Sequence, residues 1–140
     1  MWRKLTSLFH SLSSYSDLSP DLGMRRRINQ ALRSRPSLAP SEWYEYFWRQ
    51  RGVSRDVAAL IYTRMEHYSG LNFSRVVPGD RLEEDLKISL VSWFDWHLSL
   101  CDDFQQKFGV DLSECFDLHA LKTVEELMLF LDRQLLPINH

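Results

Sequence analysis

Long apolar runs are missing from this chain. No stretch approaches the roughly 20 consecutive apolar residues that a membrane-spanning helix needs, so no transmembrane segment is expected. Glycine and proline are scarce, five of each in 140 residues, and a many-turned β-sandwich would need more of both. Cysteine is scarcer still. Cys101 and Cys115 make no disulfide framework, and a reducing cytoplasm is the expected compartment. The first residues include Arg3 and Lys4 but neither a long apolar segment nor a small-residue cleavage site, so no signal peptide is expected. A phosphate-binding glycine loop, a Gly-x-Ser-x-Gly elbow and a zincin pattern are all absent. No catalysis is expected.

What is present is enough apolar sequence for a core. Hydrophobic residues make up 44% and charged residues 26%, which excludes a disordered chain. Aromatic residues reach 13%, and for a small helical protein that much ring surface needs covering. Charge is unevenly spread. Residues 1–52 hold 9 Lys and Arg against 4 Asp and Glu, residues 53–140 hold 8 against 15, and the whole chain is at -2. A basic arm on an acidic body can dock on that body, on an anionic partner or on a membrane surface.

Residues 1–13 place Trp2, Leu5, Leu8, Phe9 and Leu12 at helical spacing with Arg3 and Lys4 alongside. This short amphipathic helix is expected to pack on protein, with membrane-surface contact as the alternative. A Ser-rich link comes next. Ser19 before Pro20 predicts a cap and a helix over residues 20–33. Arg25, Arg26 and Arg27 read as its solvated face, since no nucleic-acid recognition motif accompanies them. Ser41 is the expected cap of the next helix, where Trp43, Tyr44, Tyr46, Phe47 and Trp48 crowd into six residues before Gly52. So much aromatic surface must lie against something.

Ser54 opens a further helix with Val57, Leu60, Ile61, Met65 and Tyr68 on its inner face, and Gly70 closes it. The loop to Leu86 turns at Pro78-Gly79-Asp80, with Leu82 and Leu86 directed back to the core. A long helix is expected from Ser89 to Lys107. Its core stripe would hold Leu90, Trp93, Phe94, His97, Cys101, Phe104 and Phe108, with Trp96, Leu98 and Leu100 off that stripe. The last helix has Thr123 as its cap and Glu126 at capping-box spacing, with Val124, Leu127, Met128 and Leu131 inward.

His97 and Cys101 stand four residues apart, and Cys115 and His119 repeat the spacing. Two such pairs supply the donor types of a zinc site. However, the first pair lies on the expected core stripe, and the spacing differs from the common zinc modules, so no metal is expected. Glu83, Glu84 and Asp85 form an acidic run, as do Asp102 and Asp103, both read as solvated or as docking for a basic partner.

Three pieces then stand in a telling order: Val77-Pro78-Gly79-Asp80-Arg81-Leu82-Glu83-Glu84-Asp85-Leu86, Phe108-Gly109-Val110-Asp111-Leu112, and Thr123-Val124 with Glu126-Leu127 and Leu131. Over about residues 54–134 the chain resembles the acyl- and peptidyl-carrier-protein superfamily. The resemblance implies an all-α fold, a four-helix bundle with a short third helix, preceded here by a helical extension. It also implies phosphopantetheine on the serine of an Asp-Ser-Leu motif at the start of helix two. Here Ser89-Leu90 is preceded by Ile88, not Asp. The distance to the closing Phe is also about one helical turn longer than in the family. Counting back from Phe108 puts Phe94 in the serine's place.

The expectation is therefore an all-α chain with a basic aromatic extension over 1–52 and a carrier-like body over 53–140. It would serve as a non-catalytic interaction or accessory module that binds another protein. Trp43, Phe47, Trp48, Trp93, Phe94, Trp96, Glu83, Glu84 and Asp85 are the expected contact residues, with the aromatic segment covering helix two or a partner doing so. Two alternatives stay open: a true carrier bearing phosphopantetheine on Ser89, and a small metal or redox protein using His97, Cys101, Cys115 and His119.

Overall fold

The computed structural model describes residues 19–112, 117 and 120–135. The amphipathic stretch 1–13 and the pair Cys115 and His119 lie outside them. The described residues are mostly helical, and their only β-type pairing is an isolated bridge between Arg81 and Thr123. None of their helices is long and apolar enough to cross a membrane.

Helix α1 spans Leu22–Leu32. It starts later than Ser19-Pro20 suggests because Asp21 is the cap: its carboxylate accepts the Met24 N–H at 3.0 Å. Leu32 is buried, and Met24 and Ile28 pack partly against the core.

Helix α2, Pro40–Trp43, carries Pro at its first position. Ser41 is not the cap. Glu42 instead reaches back to accept the Ala39 N–H at 2.8 Å. The helix then widens into a π-helical turn over Tyr44–Trp48 and tightens into a 3₁₀ turn over Arg49–Arg51, ending at left-handed Gly52. The wide turn has a packing consequence. Residues five apart on an α-helix lie about 140° apart around its axis, whereas a π turn brings them back toward one face. Trp43 and Trp48 both reach the core, with ring centroids 5.5 Å apart in an edge-to-face arrangement.

Helix α3, Arg55–Ser69, is capped by the Ser54 hydroxyl and closed by left-handed Gly70. Val57, Ala58, Ile61, Met65 and Tyr68 are its buried face. It packs against α2, the 3₁₀ turn Phe73–Arg75, and the two long helices nearer the C-terminus. The last of these, α6 (Val124–Arg133), keeps its expected cap, while Glu126 reaches one residue past the cap's own N–H. Thr123 accepts the Glu126 N–H at 3.1 Å, and Glu126 accepts the Lys122 N–H at 2.6 Å. Its buried residues are Val124, Leu127, Met128 and Leu131.

The loop before helix two is anchored from the extension. The Asp80 carboxylate, almost fully buried, accepts two bonds from the Arg35 guanidinium (2.7 and 3.0 Å) and one from the Val77 N–H (2.9 Å). Leu82 and Leu86 point into the core.

The long helix expected from Ser89 to Lys107 is two helices, α4 (Ile88–Val91) and α5 (Trp96–Phe108), separated by an extended Ser92. A break strands the last carbonyls of the first helix. Here α1 answers them: the Asp21 N–H donates to Leu90 O at 3.0 Å, and Arg25 Nη2 donates to Val91 O at 2.8 Å. The break also re-aims α5. Its buried line is Trp96, Leu100 and Phe104, spaced by four. His97 and Cys101 are only half-buried, Leu90 and Phe94 are exposed, and the expected stripe is corrected accordingly.

One apolar cluster includes Leu32, Trp43 and Trp48 together with residues of α3 to α6. The aromatic segment packs on α3 and the 3₁₀ turn, with Trp43 5.2 Å from the Tyr62 ring and 6.4 Å from Phe73. It is α1 that packs on α4.

Candidate functional site

Between α3 and the stretch from Trp93 to Gln106 lies an open cleft of about 450 Å³, within the range of small-molecule sites. Helix α3 contributes Arg64, His67 and Tyr68. The break contributes Trp93 and Asp95, and α5 contributes Trp96, Ser99, Asp102, Asp103 and Gln106. The break at Ser92 makes this wall, since it places Trp93 and Asp95 ahead of the first turn of α5 and beside the end of α3.

Asp103 is a fixed point. Arg64 Nε donates to its Oδ2 at 2.9 Å, and the Tyr68 hydroxyl makes a short hydrogen bond to the same oxygen. Burial pushes the Tyr68 phenol well above the usual tyrosine range, and the Asp103 carboxylate reinforces the shift. The hydrogen bond to Asp103 raises the Arg64 guanidinium too. Tyr68 is therefore a neutral donor already committed to Asp103, not a base.

Asp95 differs. It is only 5% exposed, and its carboxylate has no hydrogen-bond or ion-pair partner among the described residues. The sealed, unpaired side-chain polar atoms of those residues are Arg25 Nε, Trp48 Nε1 and Ser92 Oγ. The oxygens of Asp95 are not among them and face the cleft. The lining thus holds three carboxylates against one guanidinium, and that guanidinium is bound to Asp103. No hydrogen bond among the described residues joins His67 to Ser99, so the two do not form a nucleophile–base pair. The arrangement is equipped to bind: aromatic walls, a buried unpaired carboxylate and a rigid donor–acceptor cluster.

The expected contact residues scatter. Trp43 and Trp48 are fully buried and offer no contact surface, which corrects their assignment. The cause is tertiary: Trp43 Nε1 donates to Val76 O at 2.8 Å and its ring is enclosed by Trp48, Tyr62 and Phe73. Phe47 is half-buried. Trp93 and Trp96 are brought together in the cleft wall, although Trp96 is itself a core residue. Phe94, 41% exposed, stands between them in sequence with Leu98 four residues on, also exposed.

Glu83, Glu84 and Asp85 are exposed on the loop, where Arg81 pairs with Glu84 at 2.5 Å and with Asp85 at 3.1 Å. Ser89 is exposed near the start of α4, and its hydroxyl donates to Glu83 Oε2 at 2.5 Å. Among the described residues no group of three or more His, Cys, Asp or Glu could hold a metal.

Sequence reasoning missed Arg64, His67, Tyr68 and Asp95 as site residues, and had Asp102 and Asp103 only as an acidic run open to docking. One local signal was available: Asp95 sits between Phe94 and Trp96, an acid embedded in aromatic surface. The ion pair across 39 residues from Arg64 to Asp103 had none. No family model, curated protein or solved structure matches the chain.

Proposed function

We propose that this protein is a non-catalytic interaction module built on a carrier-like arrangement of α3 to α6, and that the cleft between α3 and α5 is its contact site. Asp95 carries the reading. The residue is almost wholly buried, yet its carboxylate opens on the cleft and takes no hydrogen bond or ion pair from the described residues, so a donor or cation from outside can complete it. The apolar side chains of Phe94 and Leu98, exposed along the same stretch, supply contact surface for a protein partner. The order of elements supports the carrier-like part: a helix closed by Gly70, a loop with Leu82 and Leu86 buried, a helix closed by Gly109, and a last helix capped by Thr123.

The test is co-purification from the protein's own cells, with wild type against Trp93→Ala and Phe94→Asp. A specific partner lost from both variants, at unchanged melting temperature, supports the reading. A partner retained by both overturns it.

A second reading, acyl carriage, is favoured by the exposed Ser89 hydroxyl near the start of α4. Its test is intact mass after incubation with a broad-specificity phosphopantetheinyl transferase and coenzyme A. One added phosphopantetheine, absent in Ser89→Ala, would establish it, and an unchanged mass would remove it.

A further inference from the structure

The geometry points to an alkylammonium ion as the group the cleft receives, held by the Asp95 carboxylate against the rings of Trp93 and Tyr68. This inference rests on the proposal that the cleft is the contact site, and it names the chemistry of what binds there.

Charge, ring chemistry and burial lead to the same class of ligand. The cleft is lined by Asp95, Asp102 and Asp103, and its single guanidinium, Arg64, is held by Asp103 at 2.9 Å. An anion entering the cleft would meet carboxylates, whereas a cation meets the unpaired Asp95 oxygens that face it. Indole and phenol faces attract cations through their quadrupoles, more strongly as water is excluded. Trp93, Trp96 and Tyr68 supply such rings here. Burial, with the hydrogen bond to Asp103, keeps the Tyr68 phenol neutral, and that bond fixes it in place. A hard divalent cation fits less well, since it requires several oxygens at once, and Asp103 is already occupied by Arg64 and Tyr68.

Two sources share this chemistry: a free alkylamine, and the side chain of a lysine presented by a partner protein. The experiment uses the full chain and follows the Trp93 indole N–H by ¹⁵N NMR, assigned with Trp93→Phe. Choline chloride is titrated beside 3,3-dimethylbutan-1-ol, its uncharged isostere, with sodium chloride controlling for ionic strength. Choline is expected to shift the Trp93 signal saturably, and the isostere to bind at least about tenfold more weakly. Asp95→Asn is expected to weaken choline about tenfold through the lost charge–charge attraction, since a quaternary ammonium donates no hydrogen bond, while leaving the isostere unchanged. The same variant should melt no lower than wild type, because the Asp95 carboxylate makes no hydrogen bond or ion pair with the described residues that the amide would lose.

Butylammonium against acetyl-Ala-Ala-Lys-Ala-Ala-amide separates the sources. Tighter binding of the peptide assigns the site to a partner's lysine, and tighter binding of butylammonium assigns it to a free amine. Equal binding of choline and its isostere would overturn the cation assignment yet leave the cleft as a binding site. Failure of every ligand to move Trp93 would also overturn it, and partner capture with Phe94→Asp would then decide whether the interaction reading survives. A melting temperature that falls in Asp95→Asn would make the carboxylate structural and overturn the inference as well.

Discussion

Replacing Trp43 with Ala separates a core residue from a contact residue. Trp43 is fully buried, its indole N–H donates to Val76 O at 2.8 Å, and its ring meets Trp48, Tyr62 and Phe73. Truncating a buried Trp to Ala costs about 3–5 kcal/mol through lost burial and the cavity left behind. A small domain has about 5–15 kcal/mol in all, so a large share of the stability would go. Trp43→Phe keeps a ring but leaves the Val76 carbonyl without this donor, a loss of about 1–3 kcal/mol. Urea unfolding monitored by far-UV circular dichroism reads both. With a slope of about 2 kcal/mol per molar, the midpoint should fall by about 2 M for Ala and by about 1 M for Phe. A Trp43→Ala protein within about 1 kcal/mol of wild type would refute the placement of this segment in the core, since only an exposed aromatic is removed so cheaply.

Particular contacts carry three further outcomes. Asp80→Ala should destabilise by about 2–4 kcal/mol, because a nearly buried acceptor of three bonds is lost. A double-mutant cycle with Arg35→Ala should return coupling of about 1 kcal/mol, reduced by the partial exposure of Arg35, and coupling near zero would sink the anchoring role. Gly70→Ala should cost about 1–2 kcal/mol, since Gly70 has a φ of 72° and a methyl group there would strike the Arg25 side chain. Arg25→Ala should relieve part of that penalty, and strict additivity in thermal melts would contradict the clash. Tyr68 is raised above the ordinary tyrosine value of 10.0. Its neutral form therefore stabilises the fold below that pH, and the contribution disappears as pH climbs through the higher folded value. In an alkaline titration, Tyr68→Phe should leave native tyrosinate absorbance near pH 10 unchanged and lower it only at higher pH. An earlier loss would show that the phenol is not held by Asp103.

Local chemistry carried the legible part of the fold. Ser54 and Gly70 bound α3, and Thr123 with Glu126 starts α6, because each cap acts within a few residues of itself. Where two candidate signals competed, the nearer bond won: Asp21 displaced Ser19-Pro20, and Ala39 with Glu42 displaced Ser41. The stripe of helix two failed for a different reason. Residues 89–108 are apolar around most of the helix circumference, so periodicity alone admits more than one inward face. The break at Ser92 then selected the face led by Trp96. The cleft was half-legible: Trp93 and Trp96 stood out as unusual surface, while Asp95 looked like one more charge between them.

By itself the sequence determined the all-α class, the caps and inner faces of α3 and α6, and the return of Leu82 and Leu86 to the core. These are set by spacing and by hydrogen bonds that close within a turn. Only the tertiary structure decided the break in helix two, the burial of Trp43 and Trp48, and the existence of the cleft. The contacts that impose them join residues far apart in the chain: Arg25 to Val91 across 66 positions, Arg35 to Asp80 across 45, and Arg64 to Asp103 across 39. A carbonyl stranded by a broken helix, or a carboxylate in an apolar wall, is stable or costly according to what the rest of the chain brings beside it.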